Sequence, residues 1–152
     1  EEIGLRGSRG SENTDANRRL AMPWGDDDLI RDPVGSTYPA ANQITTTVAD
    51  QMADENSLYH YYCKLIAIRH KYPAIARGLY TSLDCGEKNL GGFSIAYGEE
   101  KLGLFHNNGT EPLSFDLSEL GFTQLCDFIG MADATLEGTL LTVGPQTSVI
   151  VK

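Results

Sequence analysis

The residues best suited to chemistry in this 152-residue chain lie near its start, in the stretch TDANRRLAMPW, residues 14–24. Asp15 precedes Arg19 by four positions, a spacing that permits a short-range ion pair. A paired carboxylate and guanidinium still present several oriented hydrogen-bond acceptors and donors, the chemistry that reads sugar hydroxyls. Trp24, the only tryptophan, offers a flat face on which a pyranose ring could stack. The competing reading makes Asp15–Arg19 a structural clamp and buries Trp24 with Met22; for Trp24 packing is expected.

Other chemistries find little support. His60 and His70 fall ten residues apart on one predicted helix, about 15 Å along its axis, too far to share a metal. His106 stands beside Asn-Asn-Gly and reads as a strand residue flanking a turn. The acids of GDDD, Gly25 to Asp28, lack the alternating spacing of a calcium loop and read as a solvated turn. GLRGSRG lacks the lysine of a phosphate-binding loop, and no GxSxG occurs. Cys63, Cys85 and Cys126 are an odd number without CxxC spacing, which excludes a disulfide framework and a zinc site. A Cys85–Cys126 bridge stays open, and Cys63 is expected in the core.

Charge narrows the partners. The formal net charge is −9, and residues 79–152 hold ten acids against three lysines. Such a surface repels phosphate backbones and anionic lipid, so neither nucleic acid nor a membrane surface is expected as a partner. No apolar run approaches the roughly 20 residues needed to span a bilayer.

Three zones must position these residues. Residues 1–47 are rich in Gly, Ser, Asp, Asn and Pro and carry almost no hydrophobic period. Structureless loops of that length are uncommon in compact domains, so the zone is expected to belong to something larger. A short helical turn in VADQMAD is followed by a strong helix. Leu58, Tyr61, Tyr62, Leu65, Ile68 and Tyr72 recur at three- and four-residue spacings. Asn56 or Ser57 would cap that helix, cations occupy its last turn, and Pro73 would stop it. From Leu79 the period falls to two, with turns at Gly-Glu-Glu and Asn-Asn-Gly. Six strands are predicted, around Phe93–Tyr97, Leu102–Phe105, Leu113–Leu117, TQLCDFIGM, GTLLTVG and TSVIVK, the last of them central. Their even spacing predicts an antiparallel β-sandwich. Phe93, Tyr97, Phe105, Phe115, Phe122 and Phe128 fall mostly at positions expected to point inward.

EEIGL, NTDANRRLAMPW and VADQMADENSLYHYYCKLIAIRHKYPAIARGLY together resemble the C-terminal third of an α-amylase family glycoside hydrolase. Glu1, Glu2, Ile3 and Gly4 match the end of that family's eighth barrel strand. Asp15, Arg19, Met22 and Trp24 match the loop that follows, although Ala21 stands where proline is usual and Pro23 is displaced by one. Ser57 to Ile75 echo the last barrel helix. The resemblance is specific over residues 1–80 and architectural beyond.

The resemblance implies a mainly β chain: residues 1–78 as the remnant of a (β/α)8 barrel, and 79–152 as a Greek-key sandwich. It also implies that the catalytic carboxylates lie on strands upstream of Glu1, so no catalytic residue, metal or cofactor is expected in this chain. An α-glucan or malto-oligosaccharide would be the substrate of the parent enzyme, with Asp15 and Arg19 lining donor-side sugar subsites. The remaining barrel would be the partner of the helix face, and without it that face would drive self-association or be covered by the leader, residues 1–47. The alternatives are a stand-alone carbohydrate-binding sandwich or a purely structural one.

Overall fold

The computed structural model describes residues 2–9, 15–26 and 30–152. Glu1, Glu12 to Thr14, Asp27 and Asp28 therefore lie outside the described residues, and with them part of the family-like strand end and of the GDDD turn. The chain forms two compact units, Glu1–Lys64 and Leu65–Lys152.

In the first unit the described residues before Val48 form only two short 3-10 turns, Ala16–Arg18 and Ala40–Asn42. Amide side chains hold this segment. Gln43 pairs with the backbone of Arg6, accepting from its N–H and donating to its carbonyl, both at 2.8 Å. Gln51 is buried and donates to the Ile3 carbonyl and the Thr46 hydroxyl, while its Oε1 accepts from Tyr59 N–H. A side-chain amide thus supplies the bonds a neighbouring strand would otherwise make.

Helix α1 (Val48–Ala53) starts with a capping box: Thr47 accepts from Asp50 N–H while the Asp50 carboxylate accepts from Thr47 N–H. Its Val48 and Ala49 N–H groups donate to the carbonyls of Pro23 and Trp24, which ties the loop to the helix start. Helix α2 (Leu58–Lys71) is capped by Ser57, whose hydroxyl accepts from His60 N–H.

No residue of α2 is fully buried, and Cys63, expected in the core, is exposed. At 100° per residue Cys63 lies on the side opposite Leu65, Ile68 and Tyr72, outside the apolar stripe. As expected, α2 ends before Pro73, but the proline does more than stop it. It opens a further helix, α3 (Pro73–Arg77), at the first position, where its missing N–H costs nothing.

The second unit is the antiparallel sandwich. Strands β1 (Leu79–Leu83), β2 (Leu90–Tyr97), β3 (Glu100–Asn107), β8 (Thr147–Val151) and β5 (Leu125–Gly130) form one sheet in the order β1-β2-β3-β8-β5. Strands β4 (Leu113–Asp116), β7 (Leu140–Val143) and β6 (Ala134–Glu137) form the other, in the order β4-β7-β6. The predicted final strand is interior, between β3 and β5. Two strands, β1 and β6, were not predicted.

The β2–β3 hairpin turns at Gly98–Glu99, where Gly98 adopts φ +59°, a conformation open to glycine without strain. The core between the sheets contains Leu90, Phe105, Leu117, Phe122, Leu141, Val143, Val149 and Val151. A second cluster, on the opposite face of the five-stranded sheet, packs Tyr72 and Ala74 on Ile95, Leu102 and Ile150. Asn107, at the end of β3, is buried; it donates to the carbonyls of Glu111 and Val143 and accepts from Gly109 N–H.

The aromatic assignment is half right. Phe105 and Phe122 are core, and Phe115 packs against it. Phe93, Tyr97 and Phe128 are exposed. Phe93 and Tyr97 share the face of β2 that carries Ile95, but α3 is only five residues long. Ile95 lies beneath it and is fully buried, while its aromatic neighbours on either side are not.

Candidate functional site

Asp15 and Arg19 bracket the Ala16–Arg18 turn, which is closed by Arg18 N–H on the Asp15 carbonyl and Arg19 N–H on the Ala16 carbonyl. Their side chains form an ion pair at 3.0 Å, with 62% of the aspartate and 74% of the arginine side chain exposed. The pair stands in water with most of its hydrogen-bonding capacity unused by that bond, and it offers oriented acceptors and donors to a polyhydroxylated ligand.

The turn between them is held from inside. Asn17 is 3% exposed. Its Oδ1 accepts from Thr37 N–H at 2.7 Å and Tyr38 N–H at 3.1 Å, and its Nδ2 donates to the Thr37 hydroxyl at 3.0 Å. Ser8 N–H donates to the Asn17 carbonyl, and a Cβ at Gly7 would fall 2.5 Å from that oxygen, so this approach requires glycine. Trp24, expected to pack, is 54% exposed. The Pro23 and Trp24 carbonyls accept from the first N–H groups of α1 and tie the segment there.

The histidines stay apart in role. His60 Nε2 bonds the Met52 carbonyl, and His106 Nδ1 bonds the Ser148 hydroxyl at 2.8 Å. Burial lowers the His106 pKa below the usual imidazole value, so its neutral form is favoured. Among the described residues no group of three His, Cys, Asp or Glu side chains is arranged to hold a metal, and no helix is long and apolar enough to cross a membrane.

The three cysteines are free. Cys85 packs with the inter-sheet core and Cys126 with the opposite cluster, and the sheet separates them. Burial pushes both thiols up, which suppresses thiolate chemistry.

The second unit carries features that sequence reasoning missed. Tyr80, Phe93 and His106 form an edge-to-face row across β1, β2 and β3, with centroid separations of 6.1 and 6.3 Å. Beside it a cleft of about 120 Å³ opens between Ile68, Ile75, Leu104, His106, Ile129 and Ser148. At one rim Asp127 accepts hydrogen bonds from Lys71, at 2.8 Å, and from the Tyr72 hydroxyl. Burial pushes the Asp127 carboxyl up, but those hydrogen bonds outweigh it and hold the carboxyl below its usual range. Strict alternation assigned Phe93 of this row inward; the shortness of α3 leaves it exposed.

No protein-family model matches the chain. It is 32% identical to alpha-amylase SusG of Bacteroides thetaiotaomicron, across 78% of this chain and 18% of that protein. It is 26% identical to alpha-amylase 3 of Dictyoglomus thermophilum, across 100% of this chain and 30% of that protein. Among solved structures, Amy13B of Eubacterium rectale superimposes with a TM-score of 0.88 and 29% identity, over 99% of this chain and 30% of its own. The chain thus spans under a third of the length of these relatives. Its homologues are members of the α-amylase family, and it corresponds to a short piece of them.

Proposed function

We propose that this chain is the C-terminal part of a retaining glycoside hydrolase acting on α-glucosidic bonds in starch-like glucans or malto-oligosaccharides. The observation that carries the reading is the match to Amy13B across 99% of this chain, together with sequence similarity to proteins named alpha-amylases. In this reading residues 1–78 complete a barrel and residues 79–152 are the appended sandwich that supports it. Retaining hydrolysis needs a nucleophilic carboxylate and an acid about 5 Å apart. Those groups are supplied outside this chain, and the chain alone is inert. Asp15 and Arg19 contact glucose units on the donor side.

The test is hydrolysis of maltoheptaose by the full-length protein, with the product anomer followed by NMR. Retained α-configuration is expected. Cleavage of maltoheptaose by residues 1–152 alone overturns the inert assignment. The apolar face of α2, where Leu58 and Ile66 are 39% and 51% exposed, takes the rest of the barrel or, in the isolated chain, a second copy. Sedimentation of the isolated chain as a strict monomer at high concentration counts against that.

The Tyr80–Phe93–His106 row, in which Tyr80 and Phe93 are exposed, favours a second reading, a carbohydrate-binding sandwich. Calorimetric titration of the chain with maltoheptaose distinguishes the two. Binding abolished by Phe93→Ala supports the module, and silence supports the supporting role.

A further inference from the structure

We propose that Asn17 is the positioning residue for the Asp15–Arg19 pair, an inference that rests on the reading of that pair as a sugar contact. The pair cannot orient itself. Both side chains are more than half exposed, and an exposed ion pair contributes little and leaves its partners free to sample other rotamers. Recognition of hydroxyls nevertheless requires donors and acceptors held within about half an ångström of their working positions. The order must come from the backbone that connects the two residues.

That backbone is the Ala16–Arg18 turn, and Asn17 is its middle residue. The Asn17 side chain satisfies two N–H groups and one hydroxyl of Thr37 and Tyr38 from a buried position, using its acceptor twice and its donor once. Its carbonyl is held by Ser8 N–H on the other side. Ala16, next to it, is also buried. One residue therefore points into the fold through its side chain, and the residues on either side of the turn project outward. Moving Asn17 moves both recognition groups together.

Asn17 touches no substrate in this arrangement, so its effect is expected on affinity rather than on the chemical step. In the full-length protein, Asp15→Ala and Arg19→Ala should each raise KM for maltoheptaose about tenfold with kcat within about twofold. Asn17→Ala should raise KM about fivefold, also at nearly constant kcat. Asn17→Asp should rescue KM to within about twofold of the parent, because a carboxylate accepts from both N–H groups and the Thr37 hydroxyl can rotate to donate.

A merely structural role would instead reduce active enzyme, lowering apparent kcat and leaving KM unchanged. If Asp15→Ala and Arg19→Ala raise KM while Asn17→Ala does not, the positioning role is overturned and the sugar contact stands. If all three leave KM unchanged, the sugar contact itself fails and the inference falls with it. Should Asn17→Ala not fold, Thr37→Val removes only the acceptor of the Asn17 amide. A KM raised about twofold sustains the proposal, and an unchanged KM overturns it.

Discussion

The two units solve the same problem, satisfying the backbone, by different means. In the sandwich, strands satisfy one another: ladders run between β1, β2, β3, β8 and β5, and the apolar side chains of alternating positions fill the space between sheets. In the loop-rich unit there are no ladders among the described residues, and side-chain amides take their place. Asn17 serves Thr37 and Tyr38, Gln43 serves Arg6, and Gln51 serves Ile3, Thr46 and Tyr59. The difference teaches where each unit is vulnerable. A sandwich built on burial fails through cavities, and a loop built on amides fails through unpaired polar groups.

The largest effect should follow from the first rule. Phe105 is fully buried between the sheets and packs on Phe115 at 5.4 Å between centroids. Phe105→Ala should cost about 3–5 kcal/mol, transfer and cavity terms together. Chemical denaturation read by near-ultraviolet circular dichroism would measure it, and a loss under about 1 kcal/mol would remove Phe105 from the centre of the core.

The second rule is tested at Gln51. Gln51→Leu keeps the bulk but leaves the Ile3 carbonyl and the Tyr59 N–H unpaired. The expected cost is about 2 kcal/mol, since each buried unpaired group costs roughly 1–3 kcal/mol before relaxation. Hydrogen exchange should show lost protection in the loop-rich unit with the strands of the sandwich unchanged. Equal loss in both would break the contrast between the units.

The same contrast explains what was legible in the sequence. Periodic features were readable because burial imposes a period: the α2 stripe, the β2–β3 hairpin at Gly98 and the interior position of β8. The β1 strand LYTSL escaped because it is an edge strand, exposed along almost its whole length, so it carries no alternation. The β6 strand ATLE is four residues long. Pro73 was legible as the stop of α2 but not as the start of α3, because proline does both by the same missing N–H. The amide anchors were invisible for a stronger reason. Asn17, Gln43 and Gln51 are ordinary polar residues in a polar segment, and only their partners, up to 48 positions distant, make them structural. The Asp15–Arg19 pairing was legible because it is local. The turn that orients it was not.

A smaller effect separates the faces of the sandwich. His106 lies on the face opposite the inter-sheet core, against Ser148 and Phe93, in the cleft that Arg69 and Asp127 also line. Burial depresses its folded-state pKa. The unfolded chain therefore binds a proton more readily, and the contribution of neutral His106 is complete above the unfolded value of about 6.5. It is lost as pH falls below that value toward the folded pKa. Melting temperatures between pH 8 and pH 5 should decline for the parent chain and decline less for His106→Gln, which keeps a hydrogen-bonding group for Ser148. Parallel pH profiles for the two proteins would place His106 in solvent and dissolve the distinction between the covered and open parts of that face.

The smallest expected stability effect carries the most functional weight. Arg19→Ala removes an ion pair whose partners are mostly in water. Exposed pairs of this kind contribute less than about 1 kcal/mol, often nothing measurable, so the melting temperature should be nearly unchanged. If Asp15 and Arg19 were a structural clamp, the variant would instead lose stability on the scale expected for Gln51→Leu. Equal thermal midpoints for Arg19→Ala and its parent, measured by differential scanning calorimetry, would locate the anchoring in Asn17 and free the pair for recognition. A large loss would return the pair to the scaffold, because a group whose removal unfolds the loop is occupied in holding it.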